Sequence, residues 1–190
     1  MSSEHEQWMR MAIEEAEKAA SEGNMAVGAV IVHGGTVVAR GRNEASSTFD
    51  VTAHAETVAI RQLSVRLHVV NPSLRADSGP LKGATLYTTC EPCPMCAWAT
   101  CIAGLSTMVI GARFADMGVG YSEWAVEKLL AMTGQPLAVV FSMVSSQPTR
   151  GFAGDAAAIV QTVFLGRSSL SANIASMTSF RGRTSGVEPR

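Results

Sequence analysis

Apolar residues recur at three- and four-residue intervals between Glu4 and Glu22: Trp8, Met11, Ala12, Ile13, Ala16, Ala19 and Ala20, with Glu14, Glu15 and Lys18 between them. That spacing predicts an amphipathic helix ended by Gly23-Asn24. The pattern then changes period. Two short apolar runs, Ala26–Val32 and Thr36–Arg40, flank Gly34-Gly35 and predict a β-hairpin. A polar loop from Asn43 to Thr48 leads to Thr52, the expected N-cap of a helix over 53–63. Residues 66–83 hold Asn71-Pro72 and Ser78-Gly79-Pro80 and read as a surface loop. Beyond it the chain alternates: strand 84–89, helix 94–103, strand 107–112, helix 123–132, strand 137–144 and helix 154–165.

Alternating strands and helices predict an α/β fold: a three-layer α-β-α sandwich around one five-stranded, mostly parallel sheet. At 190 residues and 47% hydrophobic content the chain can bury one core. The expected division is a domain over 1–165 and a Ser- and Arg-rich mobile tail over 166–190. No apolar run reaches the ~18 residues of a membrane span, and the acidic start is unlike a secretion signal, so a cytoplasmic protein without membrane contact is expected. Residues 1–165 carry eleven Lys and Arg against fifteen Asp and Glu, a net charge of −4. That balance argues against a nucleic-acid partner, since phosphate is bound by cationic surfaces.

The four cysteines, Cys90, Cys93, Cys96 and Cys101, crowd into twelve residues. Disulfides there would close almost no loop, so the cluster points to metal chemistry in a reducing compartment. Pro94 suits the first position of a helix, which puts Cys93 and Cys96 on one opening turn. His54 opens another helix and supplies a third ligand. One His and two Cys leave the fourth tetrahedral position of Zn²⁺ to water, the pattern of a catalytic site. Glu56, two residues beyond His54, can move protons beside that water. Cys101 lies two turns along its helix from Cys93, roughly 12 Å away and too far to share the ion. His33 is assigned to a turn, and His5 and His68 to the surface.

Thr52-Ala53-His54-Ala55-Glu56 followed by Pro92-Cys93-Pro94-Met95-Cys96 is the H-x-E…P-C-x-x-C signature of zinc deaminases. The chain resembles the cytidine deaminase superfamily, in the branch of guanine deaminases, cytosine deaminases and tRNA adenosine deaminases. The resemblance implies the cytidine deaminase-like fold, zinc on His54, Cys93 and Cys96, and Glu56 as the catalytic proton carrier. It also implies substrate contacts from Asn43, Val27, the backbone of Ala55, and groups of Cys90 and Glu91. Val27 stands where guanine deaminases resemble one another in carrying an aromatic residue, and here the context is closer to the tRNA enzymes.

On charge, the expected substrate is a free nucleobase or related small amino-heterocycle, with tRNA adenosine as the alternative. An inactive zinc-stabilised binding domain is a third possibility, disfavoured by the intact Glu56. The apolar helix over 94–103 predicts a homodimer.

Overall fold

The computed structural model describes residues 3–75, 78–114, 125–134 and 137–141. The expected helix over 154–165 and the tail over 166–190 lie outside these residues.

Helix α1 (Ser3–Ser21) ends in Glu22-Gly23 and leads into strands β1 (Gly28–His33) and β2 (Thr36–Arg42). Gly34 and Gly35 both have positive φ, 56° and 69°, as a two-residue hairpin turn requires. The polar loop contains one helical turn, α2 (Ala45–Thr48), which the Asn43 and Glu44 oxygens hold by accepting from Ala45 N–H and the Thr48 hydroxyl.

Helix α3 (Ala55–Val70) runs seven residues beyond its expected end at Leu63. Its second half exposes Val65, Val69 and Val70, which blurs the apolar period, but no glycine or proline interrupts the chain before Asn71-Pro72. The 66–83 loop therefore shortens to the stretch after Asn71.

Strand β3 (Thr85–Cys90), helix α4 (Pro94–Ile102) and strand β4 (Thr107–Ala112) follow as expected. Helix α5 (Val126–Thr133) and strand β5 (Ala138–Phe141) complete the described elements.

The sheet order is β2-β1-β3-β4-β5. β1 is antiparallel to β2 and β3, while β3, β4 and β5 are mutually parallel, so four strands share one direction and β1 opposes them. One face packs on α1 through Trp8, Met9, Ala12, Val30, Val32, Tyr87 and Val109. The other meets α3 and α4 through Ala55, Ala59, Ile31, Leu86, Ala97, Met108 and Ile110. His5, assigned to the surface from sequence, is half-buried, with Nδ1 2.9 Å from the Tyr87 hydroxyl.

Gly41 sets how closely α3 approaches β2. A Cβ there would lie 2.1 Å from the Ala55 carbonyl oxygen and 2.6 Å from Ala59 N, so only glycine admits the start of α3 at this depth.

Candidate metal centre and active site

Two helices begin at the site, and a donor side chain sits at each start. His54 is the N-cap of α3, with φ −78° and ψ 158°, and Cys93 is the N-cap of α4, with φ −65° and ψ 166°. An N-cap residue has an extended backbone, so its side chain is not confined to a helical face. Neither side chain caps its own helix, which leaves both donor atoms available.

The expected cap, Thr52, lies two residues earlier. Its hydroxyl and N–H both donate to Asp50 Oδ1, and Ala53 N–H donates to the Asp50 carbonyl, so the chain turns once more before the helix. This also removes a difficulty of spacing. Residues i and i+2 face apart on a regular helix, but His54 is outside the helix and Glu56 is its second residue.

His54 Nδ1 lies 3.6 Å from Cys93 Sγ and 3.6 Å from Cys96 Sγ, and the three donor atoms are all within 4.8 Å of one another. Zn–S bonds of ~2.3 Å and Zn–N bonds of ~2.0 Å at a tetrahedral angle put nitrogen and sulfur about 3.5 Å apart. The donor set therefore fits zinc in both chemistry and spacing.

The two thiols are shifted in opposite directions. Hydrogen bonds from Cys96 and then from the His54 ring pull the Cys93 pKa down to about 4 against the opposing cost of burial. Cys96 is pushed far up by the same bond and by burial. The His54 pKa is raised, chiefly by its bond to Cys93. Both helix N-termini add positive potential where negative charge collects.

Glu56 is buried, with 3% of its surface exposed. Burial raises its pKa first; its own backbone N–H opposes this, and the negative charge of Cys93 adds to the rise. Its Oε1 lies 3.1 Å from the Thr88 hydroxyl. A buried carboxyl with a raised pKa is a candidate for moving protons.

The remaining sequence-derived positions divide. Asn43 is buried; its N–H donates to the Val27 carbonyl and its Oδ1 accepts from Ala45 N–H. Among the described residues its side-chain amide donates to none. Val27 and Ala55 are buried at the starts of β1 and α3. Cys90 is buried, with its thiol 3.6 Å from the Glu91 carbonyl. The Glu91 carboxylate is committed elsewhere: it accepts from Phe114 N–H and Val126 N–H, both at 3.0 Å, tying the end of β4 to the start of α5. Cys101 Sγ faces Thr133 Oγ1 at 3.8 Å, away from the metal ligands.

Two residues escaped the sequence reading. Thr88 looks like an ordinary β-branched strand residue. Phe49 adopts φ 56° and is 98% exposed, on a loop whose neck, Glu44 N–H to the Ala53 carbonyl, brings Asn43 near His54. A bulky residue in the left-handed region is uncommon, and only the backbone geometry reveals it.

The chloroplastic tRNA(adenine(34)) deaminase of Arabidopsis thaliana is 46% identical over 105 residues, which is 55% of this chain and 7% of that protein. The tRNA-specific adenosine deaminase of Bacillus subtilis is 38% identical over 107 residues, 56% of this chain and 61% of that protein. This chain thus spans less than two thirds of the length of these relatives.

A solved structure from a study of A-to-I editing by tRNA:A34 deaminases is 34% identical, with a TM-score of 0.58 over 74% of this chain and all of that one. The guanine deaminase of Nitrosomonas europaea, at 20% identity, matches in fold with a TM-score of 0.63 over 82% of each chain. Residues 2–112 match the cytidine and deoxycytidylate deaminase zinc-binding region. That match takes in His54, Glu56, Cys93 and Cys96 and covers more than half of the sequence, so the chain belongs to the cytidine and deoxycytidylate deaminase family.

Proposed function

We propose that this protein is a zinc-dependent hydrolytic deaminase that converts adenosine to inosine in tRNA. The observation that carries the reading is 46% identity over 105 residues to a tRNA(adenine(34)) deaminase. Zinc held by His54, Cys93 and Cys96 would lower the pKa of a water towards ~7. Glu56 accepts a proton from water and returns it to the departing amine, so that water and adenosine leave as inosine and ammonia. Asn43 holds the polar edge of the base through its side-chain amide, and the backbone N–H of Ala55 adds a second contact. The buried starts of β1 and α3, lined by Val27 and Ala55, exclude bulk water from one side.

The free-base expectation rested on overall charge, which does not say where residues stand. Phe49, nearly fully exposed on the loop between Asn43 and His54, offers a face on which a neighbouring base of a single-stranded loop stacks. The net charge of −4 over 1–165 still favours a small amino-heterocycle as the second reading. Side-by-side assay decides: inosine formation in a tRNA anticodon stem-loop, against ammonia release from guanine, cytosine and adenine. Turnover of a free base without any inosine in tRNA would replace the first reading by the second.

Two copies pair through the outer face of α4. Trp98 and Ile102 remain 53% and 44% exposed there and Met132 of α5 85%, beside a groove of about 300 Å³ lined by Pro94, Ala97 and Leu129. A reducing, cytoplasmic setting agrees with four free thiols. Among the described residues, no helix is long and apolar enough to cross a membrane.

A further inference from the structure

Thr88 stands in the middle of β3, opposite Ala29 of β1 and Ile110 of β4, with none of its surface exposed. Valine would fill that position without a polar atom, so the hydroxyl is the feature that needs a reason. Its Oγ1 lies 3.1 Å from Glu56 Oε1 and 3.1 Å from the Cys90 carbonyl oxygen. A hydroxyl has one proton to give and lone pairs that accept. Facing a carboxylate, it donates to Oε1. Facing a Glu56 Oε1 that carries the proton, it accepts from Glu56 and turns its own proton to the Cys90 carbonyl. The contact is favourable in both cases because the hydroxyl reverses its direction; an apolar side chain would offer nothing in either.

We propose that Thr88 is a positioning residue for Glu56, holding its carboxyl group in one place whether or not it carries a proton. This rests on Glu56 being the proton carrier. Through the cycle an O–H bond of water breaks as an O–H bond of Glu56 forms, and that proton then passes to the leaving nitrogen. The Thr88 proton never leaves Oγ1; it only rotates about the Cβ–Oγ1 bond. A carrier held still through both transfers keeps its reach to the water and to the amine, which proton transfer requires.

The experiment compares Thr88→Val, Thr88→Ser and Glu56→Ala in the full chain. Thr88→Val is expected to keep wild-type zinc content and KM for tRNA while kcat falls about tenfold, the loss from one hydrogen bond to a charged group. Its crystal structure should show the Glu56 carboxyl displaced or in more than one rotamer. Thr88→Ser should restore kcat to within about twofold, since it restores the hydroxyl.

A Thr88→Val carboxyl that stays in the wild-type place, a wild-type kcat, or a loss that Ser does not rescue would overturn the proposal. Glu56→Ala separates the two claims. If it is inactive while Thr88→Val is fully active, only the role of Thr88 fails; if it stays active, the proton-carrier reading fails with it.

Discussion

His54 and Cys93 each cap a helix, and the Nδ1 of one lies 3.6 Å from the Sγ of the other. They are 39 positions apart in sequence, and all of α3 and β3 lie between them. The metal site is thus a meeting of two helix N-termini, at which two donors come from caps and the third, Cys96, from the first turn of α4. Such ends attract anions and favour thiolate, so the backbone prepares the site for a cation held by sulfur.

Cys96→Ala removes one of three ligands and leaves a cavity where a fully buried side chain stood. The variant should bind well under one zinc per chain, read by metal analysis after dialysis, and lose turnover with it. Full zinc and full activity in this variant would refute the assigned ligand set.

Glu56→Ala should fold, retain zinc and lose about 10²–10⁴ of the rate, the usual contribution of one acid–base group. Its carboxyl bonds to Thr88 and supplies none of the metal donors, so metal content and activity should separate in this variant. Wild-type turnover would move the proton to another residue.

Gly41→Ala places a methyl group within 2.1 Å of the Ala55 carbonyl, at the first residue of α3. Backbone has no rotamer with which to yield, so overpacking should cost about 1–3 kcal/mol in urea denaturation. Because His54 and Glu56 flank Ala55, activity should fall further than stability alone accounts for. Stability and activity both equal to wild type would contradict the close approach of α3 to β2.

Asp50 braces the turn ahead of His54. Its carboxyl is held below the ordinary aspartate value of 3.8 by the Thr52 hydroxyl, then by Thr52 N–H, with Arg61 adding. A lowered folded pKa contributes stability above that ordinary value and loses it as the pH falls through the folded one. Asp50→Ala should therefore melt slightly below wild type at pH 7, with the two melting curves converging below about pH 4. A gap that widens on acidification would reverse the sign of this argument.

Trp98→Glu puts a charge in the middle of the exposed stripe formed with Ile102 and Met132. If copies pair there, light scattering should move from dimer to monomer at micromolar concentration while circular dichroism stays unchanged. A wild-type chain that is monomeric at that concentration would dispose of the pairing.

Much of the site was legible along the chain because its signals are local. Pro94 announces the start of α4, Cys93 and Cys96 share its first turn, and Gly34-Gly35 marks the hairpin that brings β1 beside β2. Spacing of this kind survives in any fold, since it depends on residues within one turn of one another.

Tertiary structure decided the rest. Thr52 looks like a better cap than His54, and only the Asp50 turn shows why the helix waits two residues. The Glu91 carboxylate accepts from Phe114 and Val126 N–H, which its sequence neighbours do not reveal, and Thr88 looks like packing until Glu56 is found against it. For Glu91 and Thr88 the deciding partner lies far along the chain, brought near by the sheet order β2-β1-β3-β4-β5 and by the depth to which Gly41 admits α3. Periodicity reports which face of an element is buried; it carries no record of which polar atom on a distant element will meet it.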